Sequence, residues 1–84
     1  MSFKITWDDK ANGELNKLEK VIARRIAKKV RELAEDPYSK DIKKLKGQDG
    51  FRLRVGDYRI IFDIEGDKIN ILKVGHRKNI YDKI

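Results

Sequence analysis

Two Gly-Asp pairs, Gly56-Asp57 and Gly66-Asp67, divide residues 51–75 into three runs in which apolar and polar side chains alternate. Glycine and aspartate between such runs suit a two-residue β-hairpin, because the turn needs a positive φ that glycine adopts without strain. The pattern predicts strands over about 51–55, 58–65 and 68–75, joined by tight turns into an antiparallel meander. Tight turns also fix register. Val55 then pairs with Tyr58, Leu53 faces Ile60, and Phe51 faces Phe62 on one side of the sheet, which is the predicted core.

The N-terminal half has a different period. Phe3, Ile5 and Trp7 alternate with Lys4 and Thr6 as in a short half-buried strand, and the Asp8-Asp9 pair that follows is suited to capping a helix. Ala11, Leu15, Leu18, Ile22, Ile26, Val30 and Leu33 then recur at helical spacing until Asp36-Pro37 stops the pattern. One straight helix over 9–35 would outgrow so small a domain, and Gly13 and the Glu19-Lys20 region weaken its middle, so a helical hairpin is expected. Residues 37–50, with Pro37 and the cluster Gly47-Gln48-Asp49-Gly50, read as a loop that presents Lys40, Lys43, Lys44 and Lys46, pinned by Ile42 and Leu45. The expected class is α+β: strand, two-helix hairpin, then three antiparallel strands, in one domain over residues 1–84.

Charge narrows the function. Lysine and arginine total 21 against 14 acidic residues, a net charge of +7 that attracts polyanions such as nucleic acid or an acidic protein. No cysteine is present, so a disulfide framework and a thiolate zinc site are excluded and a reducing, cytoplasmic setting is expected. The start Met1-Ser2-Phe3-Lys4-Ile5 lacks the apolar stretch of a signal peptide, and no run approaches the ~20 apolar residues of a membrane span, so no membrane role is expected.

The predicted register sets Arg54 directly opposite Arg59, with Arg52 on the same side of the sheet. Like charges opposite each other destabilise a sheet unless carboxylates or a bound anion compensate; Asp57 and Asp63 are the local carboxylates. Continued across Gly66-Asp67 without irregularity, the register pairs Arg59 with Val74 and Ile61 with Leu72, and gives His76 the parity of the arginine face. Guanidinium forks match phosphate oxygens and stay charged, which suits them to the extra negative charge that forms when a ribose 2′-hydroxyl attacks its neighbouring phosphorus. Arginine does not move protons, so His76 or Tyr81 is needed for that task; Tyr81 is equally suited to stacking on a base or anchoring the C-terminal segment. Arg24, Arg25, Lys28, Lys29 and Arg31 on the second helix read as a solvated face that steers polyanions. No metal-ligand spacing and no glycine-rich phosphate loop occurs, so no cofactor is expected.

The run Leu45-Lys46-Gly47, then Phe51-Arg52-Leu53-Arg54-Val55-Gly56-Asp57-Tyr58-Arg59-Ile60-Ile61-Phe62, then Val74-Gly75-His76-Arg77-Lys78 with Tyr81, resembles the RelE toxin family. That resemblance implies a RelE-like fold with a short C-terminal helical turn, and a metal-independent endoribonuclease that cleaves messenger RNA in the ribosomal A site by 2′-hydroxyl attack. It also implies an acidic RelB-like antitoxin that binds the toxin in a heteromeric complex. The family's site positions fall on Arg52, Arg54, Arg59, Arg77 and Tyr81, with His76 as a further candidate, while Lys43, Lys44, Lys46, Arg24 and Lys28 are the expected RNA or ribosome contacts. In the best-known members the positions of Arg52 and Arg54 are lysines that take part in proton transfer. Two other readings stand beside this one: a ParE-like toxin that blocks DNA gyrase by protein contact, and an RNA- or ribosome-binding module without catalytic power.

Overall fold

The computed structural model describes residues 2–38, 41–47 and 49–80. The chain opens with strand β1 (Lys4–Trp7), followed by helices α1 (Asp9–Asn16) and α2 (Lys20–Leu33). Strands β2 (Ile42–Lys44), β3 (Phe51–Val55), β4 (Tyr58–Glu65) and β5 (Lys68–His76) come next, and then the short helix α3 (Arg77–Ile80). Among the described residues the strands form one five-stranded sheet in the order β1-β5-β4-β3-β2. β1 runs parallel to β5, and every other neighbouring pair is antiparallel.

Local chemistry accounts for the helical hairpin. The Asp8 carboxylate accepts from the Lys10 amide at 3.3 Å and caps α1, as aspartate at that position does. α1 stops at Asn16 and α2 begins at Lys20, a break in the region the sequence marked as weak. α2 turns Ile26, Val30 and Leu33 onto the sheet, where they meet Leu53, Val55, Ile60, Phe62, Ile69, Ile71 and Val74 in one apolar cluster that also takes Ala11 from α1. Fully burying one such large side chain contributes about 1.5–3 kcal/mol, which makes this layer the main source of stability. The Phe51 and Phe62 rings stack at 5.5 Å, as expected for facing residues on the core side.

The first hairpin follows the predicted register: Val55 pairs with Tyr58, Leu53 with Ile60, and Phe51 with Phe62. Two corrections lie elsewhere. Part of the segment read as a loop is the edge strand β2, which pairs Ile42, Lys43 and Lys44 with Leu53, Arg52 and Phe51. The second hairpin carries a bulge: Phe62 pairs with Ile71, but Ile61 pairs with Lys73 and Arg59 with Gly75. Leu72 is the extra residue, and one extra residue reverses the facing of everything after it. Past Ile71 the outer edge of β5 extends beyond β1, and there the Glu14 carboxylate accepts from the Val74 amide at 3.0 Å.

Candidate RNA-binding face

The sheet surface turned away from the helices gathers the basic residues of the C-terminal half. Arg54 stands opposite Arg59, as the sequence register requires, and Arg52 stands opposite Ile61 one row further along. β2 brings Lys43 opposite Arg52 on this face, whereas Lys44 pairs with Phe51 and has the other parity. The bulge brings Lys73 opposite Ile61. Ile61 is buried yet belongs to no part of the core cluster, consistent with its place on the arginine side.

The repulsion between Arg54 and Arg59 is relieved by sending the two guanidinium groups apart. Arg54 Nη2 lies 3.0 Å from Asp41 Oδ1, and its backbone amide donates to the Asp41 carbonyl. Arg59 folds back over the β3–β4 turn, where Nη1 donates to the carbonyls of Gly56 at 2.8 Å and Tyr58 at 2.9 Å. Its Nε is buried with no hydrogen-bond partner among the described residues, so a donor at this position remains unused. Arg77 opens α3 and is pinned to the same turn: its amide donates to the Asp57 carbonyl at 2.8 Å, and its Nε stands 3.6 Å from Asp57 Oδ1. Gly75 leaves room for Ile80 to pack on the arginine side, because a Cβ at Gly75 would stand 3.3 Å from Ile80 Cδ1. α3 therefore sits close against β5 and holds Arg77 beside the turn that Arg59 caps.

His76 is not on this face. The bulge pairs it with Tyr58, and the two rings meet edge to face at 5.5 Å. Its Nδ1 accepts from the Lys78 amide at 3.2 Å, which makes it a cap for α3. The parity expected from an unbroken register is thus reversed, and Lys73 takes the place opposite Ile61 on the arginine face that Leu72 was expected to occupy. Tyr81 lies outside the described residues. Arg24 and Lys28 are exposed on α2, and Lys46 is exposed in the turn after β2.

Two basic residues, one on this face and one at the turn that borders it, escaped the sequence reading. Lys73 was hidden by the bulge, although the core-facing positions Ile69, Ile71 and Val74 carry a trace of it, since their spacing lengthens from two to three. Arg25 was grouped with its neighbours as a solvated cation, but its Nη1 lies 3.5 Å from where a Cβ on Gly56 would stand. At the far end of the face the character changes: the Asn70 amide donates to Asp63 at 2.7 Å and to Glu65 at 2.8 Å, and Thr6 donates to the Asn70 side-chain oxygen. Among the described residues no cluster of three or more His, Cys, Asp or Glu is placed to hold a metal.

Comparison with known proteins decides the family. The sequence pattern described as the ParE toxin of the type II toxin-antitoxin system parDE matches residues 5–81. The chain belongs to the RelE/ParE family of type II toxins. It is 54% identical over 43 residues to toxin RelE3 of Methanocaldococcus jannaschii, a match that covers 50% of this chain and 49% of that protein. The chain thus aligns with about half the length of that curated relative. The RelE of the RelB-RelE complex from Methanococcus jannaschii superposes with a TM-score of 0.77 at 32% identity, covering 94% of this chain and 98% of that one. The corresponding complex from Pyrococcus horikoshii OT3 gives a TM-score of 0.81 at 29% identity, covering 94% and 99%. These RelE/ParE relatives share the strand, helical hairpin and meander described above.

Proposed function

We propose that this protein is the toxin of a type II toxin-antitoxin pair and acts as an endoribonuclease on ribosome-bound messenger RNA. The observation that carries the reading is the meeting of Arg59 and Arg77 at the Gly56-Asp57 turn, with Arg54 directly opposite Arg59. In the reaction the ribose 2′-hydroxyl gives up its proton and its oxygen bonds to the adjacent phosphorus. The bond from phosphorus to the 5′-oxygen breaks, and that oxygen takes up a proton, leaving a 2′,3′-cyclic phosphate and a 5′-hydroxyl. Arg59 and Arg77 stabilise the charge that builds on the non-bridging oxygens. Arg52, Arg54 and Lys43 hold the RNA backbone, with Lys46, Arg24 and Lys28 as outer contacts and Lys44 left out by its parity.

Proton transfer falls to other groups, because guanidinium does not exchange protons in a protein. Lys73, on the same face, is assigned to protonate the leaving 5′-oxygen, and Tyr81 to assist removal of the 2′ proton. His76 is relieved of that role, since its Nδ1 serves α3 and its ring packs on Tyr58. An acidic antitoxin of the RelB kind is the expected partner, its charge complementary to the +7 of this chain, and a cytoplasmic setting suits both partners and the ribosomal target. The RelE relatives from Pyrococcus horikoshii and Methanococcus jannaschii are solved in complex with RelB, which supports that partner for this chain.

The decisive experiment expresses the protein and its Arg59→Ala variant and maps message ends. Cut messages with the parent protein and none with the variant support the ribonuclease. The ParE description of the matching pattern favours a second reading, a toxin that blocks DNA gyrase by protein contact. In that case DNA supercoiling fails first and messages stay whole.

A further inference from the structure

The Gly56-Asp57 turn receives a guanidinium that the mechanism above leaves unused. Arg25 precedes the buried Ile26 on α2, and its Nη1 reaches to 3.5 Å from the position of a Cβ on Gly56. Gly56 is the residue whose carbonyl takes the bond from Arg59, and Asp57 is the residue that holds Arg77. Guanidinium groups from α2, β4 and α3 therefore gather at one two-residue turn. Against them, among the described residues, stands the Asp57 carboxylate, 69% exposed and paired at 3.6 Å with Arg77 alone. Arg25 has no carboxylate at ion-pair distance among the described residues.

A concentration of fixed positive charge with so little compensation is favourable only when an anion arrives. Arg31, further along α2, is also exposed, but among the described residues Arg25 is the side chain that comes within 4 Å of a Cβ placed on Gly56, so proximity rather than charge alone singles out Arg25.

We propose that Arg25 binds an RNA backbone phosphate next to the scissile one, so that α2 forms one wall of the RNA site. The inference rests on the ribonuclease reading and extends it to a second phosphate. Arg59 and Arg77 approach the turn from the sheet and from α3, whereas Arg25 approaches from the helical layer. A strand whose reacting phosphate sits with the first pair runs on past the turn toward Arg25. Such a contact positions the strand and leaves the chemical step untouched.

The test is single-turnover cleavage of a ribosome-bound message, with the protein in excess, across a range of salt concentrations. Arg25→Ala is expected to raise the half-saturating protein concentration about fivefold at unchanged maximal rate, and to lower the salt-dependence slope by about 0.7, the loss of one phosphate contact on a single strand. Arg25→Lys keeps most of the affinity, and Arg31→Ala, an exposed arginine further along α2, matches the parent protein. The proposal is overturned if Arg25→Ala and Arg31→Ala behave alike, if the maximal rate falls instead, or if the only loss is in binding an acidic protein partner. Should the parent protein cut no message, the ribonuclease reading fails separately. Affinity for a short labelled single-stranded RNA then judges Arg25, and equal binding by parent and Arg25→Ala overturns its role.

Discussion

The two hairpin turns of the meander have the same dipeptide, Gly-Asp, and the same backbone, with φ of 58° at Gly56 and at Gly66. Their surroundings differ. A Cβ on Gly66 would meet nothing within 4 Å, whereas one on Gly56 would stand beside the Arg25 guanidinium. Arg59 and Arg77 close on the first turn, while the nearest side-chain network toward the second joins Asp63, Glu65 and Asn70. Local sequence thus makes the turn, and the elements packed around it make the site. A motif search over the dipeptide alone would rank the two equally.

Substitutions around the two turns test that contrast. Replacing Arg59 by alanine is expected to slow message cleavage by about 10²–10³-fold, the usual loss when a charge-stabilising donor is removed, with an unchanged circular dichroism spectrum. Asp63→Ala, near the second turn, leaves the rate as it was. Lys73→Met is expected to reduce the maximal cleavage rate by about 10²-fold, and Lys73→Arg fails to restore it, because the charge returns without a transferable proton. Recovery of full activity by arginine would assign Lys73 to charge alone.

Alanine at Gly56 or at Gly66 places a side chain in the left-handed region, at a cost of about 1–2 kcal/mol read from urea unfolding. Both variants lose stability alike, but only Gly56→Ala rests a methyl group against the Arg25 guanidinium, covering one side of Nη1, and it alone is expected to weaken RNA binding, about threefold. Equal loss of binding from the two would dissolve the distinction between the turns. The smallest effect is reserved for Asp57→Asn, which releases Arg77 from an exposed ion pair worth at most about 1 kcal/mol and so tightens RNA binding about twofold, with Asp67→Asn as the silent control.

Most of the framework was legible because it rests on short-range chemistry. The alternation around Gly56 and Gly66 sets the meander, and the apolar stripe from Ala11 to Leu33 sets the helices. β2 was not legible, since Ile42-Lys43-Lys44 is too short to show a period and exists because β3 offers it an edge. The bulge at Leu72 was missed for another reason: Ile71 and Leu72 are both apolar, so either is acceptable as the core-facing residue, and packing made the choice. Of the site, Arg54 opposite Arg59 followed from register alone, and family resemblance supplied Arg77. The reach of Arg25 depends on how α2 lies against β3 and β4, which no spacing in the sequence encodes.

The parallel union of β1 with β5 has a bearing on how the molecule comes into being. Lys4 lies alongside Lys68, so this pairing joins residues 64 positions apart, and contacts so distant in sequence are rewarded only after a long loop has been closed. During synthesis the β3–β4 hairpin, carrying Arg54 and Arg59, emerges ahead of β5, the strand that completes the sheet. Arg77 follows that last strand. A ribosome making this chain therefore releases the parts of the basic face in sequence, and the pair at the Gly56-Asp57 turn is assembled only after β5 and α3 have followed.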